Sequence, residues 1–259
     1  MAGGRTTLLH QRVPYPFHIT RPFHLHPARP DLATLYLQSA SGGLYTGDDL
    51  SLTLHVGRDA AAHVTTQSAT IVHACRTAPA RLTLTATVEP NGFLALLPDP
   101  LVLFPDADIT VRTDLTLHAG AHVILVDAAS LHDPSGEDRP FRRFHGAITV
   151  RDAAGAISMS DRGGVEGAAL HGAGVLGPWR AWGLLLVLAP APLLPDPATL
   201  EAVAEAAGCL AGASAAPHGI GLAVRVLGPD GGTLGRCLSA LAADAALSLV
   251  RCRLATRGK

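Results

Sequence analysis

Apolar and polar side chains alternate along several segments of this chain, with the period of two that marks a strand with one buried face. In residues 50–56 the even-numbered positions are apolar, and Ser51, Thr53 and His55 lie between them. The same alternation recurs in three later segments, residues 82–88, 109–117 and 148–151. The pattern predicts β-strands that each turn one face to a core.

These segments also resemble one another as strand–turn–strand units. The units start at Leu52, Leu82, Leu115 and Ile148, so successive starts are 30, 33 and 33 residues apart. Each turn carries a glycine that can adopt positive φ, namely Gly57, Gly92, Gly120 or Gly155. Regular spacing of like units is typical of stacked architectures, in which each unit buries its face against the next. An ordinary β-sandwich with evenly spaced hairpins is the alternative.

The C-terminal part changes character. Asp196 and Pro197 begin a predicted helix, with Gly212 beyond its end. A strand follows from Gly219, and residues 234–245 then show helical spacing. The predicted fold is mainly β, with stacked β-hairpins forming a β-helix-like body and two accessory α-helices near the C-terminus. We expect one domain over residues 1–259, with a β body over about 14–190 and a helix–strand–helix part over about 196–255.

Charge and cysteine content narrow the functional classes. Lys and Arg number 20 against 21 Asp and Glu, so no field of one sign would recruit nucleic acid or an anionic membrane. The four cysteines, Cys75, Cys209, Cys237 and Cys252, form no CxxC pair. Single, widely spaced thiols are typical of a reducing compartment, and no apolar run of signal-peptide length begins the sequence. We therefore expect a cytoplasmic protein.

The sequence offers few candidates for chemistry. Gly42, Gly43, Gly47 and Asp48 form a Gly-rich acidic loop that leads into a strand, so it lacks the helix N-terminus that makes such loops phosphate sites. Asp48 is either a turn residue that binds local amides or a metal ligand. Neither a GxxxxGK[ST] nor a GxSxG pattern occurs. The sequence is not that of an enzyme by these patterns.

Histidine supplies the second metal hypothesis. His24 and His26 are two residues apart, so on a strand they would project from one face, and His18 could join them across a bend. Imidazole is a good ligand for nickel or zinc. His24, His26 and Asp48 are therefore the candidate ligands of a transient nickel ion. The other histidines on the outward strand face, such as His55 and His118, are interpreted as solvent-facing.

Four ordered elements carry a family resemblance. They are Pro16-Phe17 with Arg21-Pro22-Phe23, then Gly42-Gly43 with Gly47-Asp48, then Thr65-Thr66-Gln67 with Thr70, then Leu97-Pro98-Asp99-Pro100. In this order and at these distances they resemble the urease accessory proteins of the UreD type, also called UreH. The resemblance covers nearly the whole chain, including the strand from Gly219 and the final helix.

The resemblance implies a function. Members of this family serve as scaffolds in urease maturation, which bind apo-urease and, with the F and G accessory proteins, deliver nickel to the urease active site. It implies a β-helix-like stack, no catalysis, no permanently bound cofactor, nickel only in transit along an internal passage, and no nucleic acid or membrane partner. The loop and strand residues that it singles out are Gly42, Gly43, Gly47, Asp48, Thr65, Thr66, Gln67, Pro98, Asp99 and Pro100.

The chain departs from the family pattern in places that bear on metal handling. Ile71 stands where the family has a polar residue, Ala95 and Leu96 replace an acidic and an aromatic residue, and the family's later glutamate becomes Asp127. Two other functions therefore stay open. One is a free-standing metal-binding protein, based on the histidines, and the other is a hydrolase on a β-solenoid, based on fold analogy alone.

Three adjacent polar residues, Thr65, Thr66 and Gln67, interrupt the apolar alternation. Because neighbours on a strand point to opposite faces, at least one of them must point inward. An inward polar side chain needs hydrogen-bond partners or water. A ladder of side chains between stacked turns would supply the partners, and a water-filled passage would supply the water.

Overall fold

A computed structural model of the protein describes residues 4–170 and 172–254. Within them the chain forms two β-sheets, here called sheet I and sheet II. Sheet I contains β1 (Phe17–Ile19), β2 (Leu32–Ser39), β4 (Ala61–Thr66), β5 (Ile71–Val72), β7 (Phe93–Leu97), β8 (Leu101–Leu103), β10 (His122–Leu131), β13 (Ala181–Leu188), β14 (Leu210–Ala215) and β15 (Gly221–Gly228). Sheet II contains β3 (Asp49–Val56), β6 (Ala80–Val88), β9 (Asp108–Leu117), β11 (Arg143–Asp152) and β12 (Ile157–Glu166). The α-helices are α1 (Pro197–Ala206) and α2 (Gly231–Val250), and 3-10 turns span Gly167–Ala169, Ala191–Leu193 and Pro217–Gly219.

The chain passes alternately between the two sheets. Strands β2, β4, β7 and β10 are parallel neighbours in sheet I, and β3, β6, β9 and β11 are parallel neighbours in sheet II. Each coil of the chain therefore lays its strands beside the equivalent strands of the coil before it. This arrangement confirms the prediction of a mainly β, β-helix-like stack with two helices.

The pairing inside the repeated units differs from that of a hairpin in the first three units. Their two strands lie in different sheets and pair with neighbouring coils, whereas β11 and β12 form an antiparallel hairpin. Positive φ occurs in both kinds of turn, at Asp59, Asn91 and Gly120 in the crossing turns and at Gly155 in the hairpin, so it does not by itself distinguish them. Successive turns are joined by the Asn91 Nδ2 donor and the Asp59 Oδ1 acceptor, 3.0 Å apart.

Two apolar layers hold the sheets in place. The predicted alternation is confirmed in β3, where Ser51, Thr53 and His55 are exposed and the residues between them are not. The inward residues of the two sheets form two clusters, one that includes Val88, Leu94 and Leu125 and one that includes Ile109 and Val111. The opposite face of sheet I forms another cluster with α1 and α2. Sheet I is thus covered on both faces, as expected for a sheet rich in parallel strands.

The C-terminal helices are partly as predicted. Asp196 caps α1 by accepting a hydrogen bond from the Thr199 N–H, but the helix ends at Ala206 and not near Gly212. Gly208, at φ 77°, turns the chain, and the residues that follow form β14 because they pair with β15. Among the described residues, α2 alone has the length and composition of a membrane-crossing helix. Its apolar residues, however, pack in the core against sheet I.

Candidate functional site

A cavity of about 390 Å³ lies between the two sheets. Its walls are mainly apolar and include Leu50, Leu52 and Leu84 of sheet II and Leu96 and Leu125 of sheet I. Polar groups come from the Gly-rich loop, the Thr66–Thr70 segment, Pro98-Asp99, Thr113 and Asp127. We call this space the interior cavity. Most of the predicted family-motif residues line it, although they are far apart in the sequence.

The Gly-rich loop contributes Gly42 and Gly43 to the wall of the interior cavity. The Leu44 N–H donates to the Ile71 carbonyl at 2.8 Å, and the His73 N–H donates to the Leu44 carbonyl at 2.9 Å. A Cβ on Gly43 would lie 2.4 Å from the Ile71 oxygen, and Gly43 also has φ 144°. Both the close approach and the backbone angle require glycine. Alanine at Gly43 would therefore require the loop backbone to move.

Asp48 acts as a turn residue, which is one of the two roles that the sequence allows it. Its Oδ2 accepts a hydrogen bond from the Tyr45 N–H at 2.8 Å, which closes the loop across Thr46 and Gly47. Gly47 has φ 77°, but no atom lies within 4 Å of a Cβ placed there. The local turn thus explains the sequence GlyLeuTyrThrGlyAsp without a metal ion.

The Thr65–Gln67 segment turns polar groups to both faces of sheet I, as predicted. Thr65 Oγ1 donates to the Leu97 carbonyl at 2.7 Å, and it faces a smaller cavity of about 60 Å³ beneath α2. Thr66 lines the interior cavity, and its Oγ1 accepts from the Asp99 N–H at 2.9 Å. Gln67 also lines the interior cavity, and its N–H donates to the Leu37 carbonyl. The threonines therefore connect successive coils, as the ladder hypothesis requires, and Thr66 also borders an internal space.

Residues Pro98, Asp99 and Pro100 connect β7 to β8. Pro98 and Asp99 contribute to the walls of both the interior cavity and the cavity beneath α2. Pro100 lies beside α2, where its ring atoms are 3.7 and 3.9 Å from a Cβ placed on Gly235. This turn is therefore the partition between the two cavities. Its two prolines restrict the backbone of the partition, because proline fixes φ.

Asp127 also lines the interior cavity, although the sequence analysis names it only as a departure from the family pattern. On β10 its side chain points to the inner face of sheet I, as those of Val123 and Leu125 do. The part of the side chain that stays exposed faces the interior cavity. Burial and, to a smaller extent, the nearby Asp161 carboxylate raise the pKa of Asp127 from 3.8 to about 6. Gly146 lies beside this carboxylate, since a Cβ placed on it would be 3.5 Å from Asp127 Oδ2. The sequence signal for this site was a charged residue at an inward-facing position of an otherwise apolar strand.

The structure separates the predicted nickel ligands. His24 is exposed, and its Nε2 lies 3.1 Å from the Thr6 carbonyl oxygen. His26 is buried, where desolvation lowers its pKa, and its Nδ1 lies 3.9 Å from Cys252 Sγ. Across residues 4–170 and 172–254, no three His, Cys, Asp or Glu side chains are grouped so that they could hold a metal ion. His24, His26 and Asp48 thus do not form one site, because residues 24–26 are not in a strand and their side chains do not share a face.

The outward histidines have a partner that the sequence did not indicate. His55 Nε2 lies 3.1 Å from Glu89 Oε1, and His118 Nε2 lies 4.0 Å from the same oxygen. The three residues come from adjacent coils at the same end of sheet II. The His55 hydrogen bond, and then the charges of His118, His55 and Arg58, lower the pKa of Glu89.

Comparison with known proteins gives a consistent result. The family model described as "UreD urease accessory protein" matches residues 1–255. The chain is 48% identical to urease accessory protein UreD 1 of Methylorubrum extorquens (strain PA1), over 92% of this chain and 82% of that protein. It is 47% identical to urease accessory protein UreD 3 of Bradyrhizobium sp. (strain ORS 278), over 97% of this chain and 90% of that protein. It is 44% identical to urease accessory protein UreD 1 of Bradyrhizobium sp. (strain BTAi1), over 100% of this chain and 91% of that protein.

Proposed function

The chain belongs to the UreD family of urease accessory proteins, and so to the proteins of urease maturation; we propose that it acts there as a scaffold. In this role it binds apo-urease and the F and G accessory proteins, and it supports the insertion of nickel into the urease active site. It makes and breaks no covalent bond itself. We place it in the cytoplasm, where its four free thiols would stay reduced.

The observation that carries the proposal is the interior cavity with one buried acid in its wall. Apolar atoms make most of that wall, and its oxygen atoms come from hydroxyl, amide and carboxylate groups. Asp127 is the carboxylate among them that burial affects most strongly. With a pKa of about 6, it is mainly charged at pH 7.

These features favour a passage over a storage site. Nickel binds most tightly to imidazole and thiolate ligands, and the described wall of the interior cavity offers neither. A carboxylate in a wall that otherwise offers hydroxyl and amide groups would hold a hydrated Ni²⁺ ion weakly. Weak binding suits transfer, because a cargo ion must be able to leave as well as enter.

The test is Asp127→Asn and Asp127→Ala, each co-expressed with the urease subunits and the other accessory proteins. We expect purified urease to contain about tenfold less nickel, while the variants still retain apo-urease and the F protein in a pull-down. His24→Ala is the matched control, because this exposed side chain lies outside the interior cavity. Normal nickel loading with both Asp127 variants would overturn the passage. Loss of apo-urease and F protein from the wild-type pull-down would overturn the scaffold itself.

A further inference from the structure

The two sheets end differently at the first coil of the stack. Beyond β2, sheet I continues with one more strand, β1, whereas sheet II ends at β3. The position in sheet II that faces β1 is therefore vacant in the described fold. Neighbouring strands lie about 4.8 Å apart, so the gap has the width of one extended chain.

The exposed edge of β3 presents backbone groups in register. The Arg81 N–H donates to the Asp48 carbonyl and the Glu89 N–H donates to the Val56 carbonyl, so the even-numbered residues of β3 face β6. The N–H and C=O groups of Ser51, Thr53 and His55 therefore point away from the sheet. Among the described residues, no hydrogen bond reaches these backbone groups. Unpaired backbone groups along a strand edge are a template for another strand.

The inner wall of the gap is apolar. Leu52 and Leu54 point inward from β3 and are only partly buried, and Ile19 of β1 packs on the same cluster. Phe17 of β1 lines the interior cavity together with Leu50 and Leu52. A strand placed beside β3 would turn alternate side chains toward this wall. The remaining side chains of the added strand would lie on the outer face of sheet II, beside Ser51, Thr53 and His55.

Two other edges in the described structure are protected, and β1, at the remaining end of sheet I, has only three residues. Along β14, the outward N–H of Ala213 donates to Glu201 Oε1 at 2.8 Å, so a side chain of α1 occupies the edge. Along β12, Asp161, Arg162 and Glu166 place charges on or beside the edge, which is a common means of preventing strand addition. The edge of β3 has eight residues, no proline and no bulge. It is thus the edge that best fits a further strand.

We propose that the gap between β1 and the edge of β3 binds one extended segment of a partner protein, with apolar side chains at alternate positions. A second copy of this chain fits poorly, because a second β3 beside the first would bring its own β2 onto β1 of the first copy. The single strand would complete sheet II opposite β1 and cover Leu52 and Leu54. This binding mode is a property of the chain alone and does not depend on the role in nickel delivery.

The test uses the full chain and an eight-residue peptide, the length of β3, of alternating valine and threonine with an added lysine at each end. A matched peptide carries N-methyl groups on alternate amides, which removes the donors of one strand edge. We expect saturable binding of the first peptide, measured by fluorescence anisotropy, and binding about tenfold weaker or more for the methylated one.

The protein variant Thr53→Pro completes the test. It removes an outward N–H and leaves the hydrogen bonds to β6, because proline is tolerated at the outward positions of an edge strand. Thr53→Ala keeps the N–H and is the control. Thr53→Pro should weaken binding of the first peptide about tenfold, and Thr53→Ala should not. Equal binding of the two peptides, or no effect of Thr53→Pro in a folded variant, overturns the proposal. So does a dimer of the chain, detected by sedimentation, that Thr53→Pro dissociates.

Discussion

The side-chain oxygen of Thr66 accepts a hydrogen bond from the backbone N–H of Asp99, at 2.9 Å, across two successive coils of the stack. Thr66 ends β4, and Asp99 lies in the turn between β7 and β8. The bond fixes the partition between the interior cavity and the cavity beneath α2. Two motif elements that are more than thirty positions apart in the sequence are thus one structural unit.

Thr66→Val should destabilise the fold by about 1–3 kcal/mol, because valine has the shape of threonine and leaves the Asp99 N–H without its acceptor. Urea denaturation followed by circular dichroism measures the free energy of unfolding. Thr53→Val is the matched control, since Thr53 is exposed on an outward strand face and should change stability by less than about 0.5 kcal/mol. Equal stability of Thr66→Val and wild type would show that the bond does not hold the coils together, and would favour a passage role for the hydroxyl.

Gly43→Ala should cost much more stability than Gly47→Ala, although both glycines belong to the same loop. At Gly43 the new Cβ would lie 2.4 Å from the Ile71 oxygen, so the loop must move away from β5. At Gly47 the Cβ meets no atom within 4 Å, and only the positive φ of 77° opposes alanine. We expect about 1 kcal/mol for Gly47→Ala and at least twice that for Gly43→Ala, measured by thermal and urea unfolding. Similar losses at the two positions would show that the close approach to Ile71 is relieved without cost.

The repeat pattern was sufficient to predict the stacked β body, because a period of two in each strand and a spacing near 33 residues leave few ways to bury the leucines. Pairing was harder to predict. A hairpin turn and a turn that crosses between sheets can have the same local residues. They differ in where the second strand lies, and after Asp59 and Asn91 it lies in the other sheet and not beside the first strand. That choice depends on contacts with the next coil, which no local pattern contains.

The candidate site divides in a similar way. Motif order singled out Gly43, Thr66 and Asp99 as family positions, but only the fold shows that all three border one internal space. The metal hypothesis for His24 and His26 assumed a strand, but residues 24–26 are irregular and only His26 is buried. The end of α1 was also misplaced, because helix propensity in residues 207–211 yields to pairing of β14 with β15.

Asp108→Asn should destabilise the protein more than Asp114→Asn, although each aspartate binds an arginine on sheet II. The Asp108 side chain is 7% exposed and accepts from Arg143 Nε and Nη2, at 3.0 and 3.1 Å. The Asp114 partner, Arg112, is 60% exposed, so solvent screens that pair. We expect about 1–3 kcal/mol for Asp108→Asn and less than about 1 kcal/mol for Asp114→Asn. Urea unfolding of the two variants compares them directly, and a reversed order would mean that burial of Asp108 already offsets the pairing.

Asp127→Asn should stabilise the protein above neutral pH and have little effect in acid. The folded state raises the pKa of Asp127 from 3.8 to about 6, so the native state holds this proton more tightly than the unfolded chain. The protonated acid makes its full contribution to the free energy of unfolding below about pH 4. This contribution is lost as the pH rises through about 6. Asparagine is neutral at every pH, so the stability difference between variant and wild type should grow with pH. The growth should reach at most about 3 kcal/mol by pH 8, since one pKa unit is worth about 1.4 kcal/mol.

Because other carboxylates titrate in the same range, the quantity to measure is this difference, from urea unfolding at pH 4, 6 and 8. A difference that is constant across the range would mean that water in the interior cavity solvates the Asp127 carboxylate as well as bulk water does. The desolvation that raises its pKa would then be absent. A carboxylate so well solvated would attract a passing cation only weakly, so this outcome would also weaken the case for Asp127 in nickel transfer.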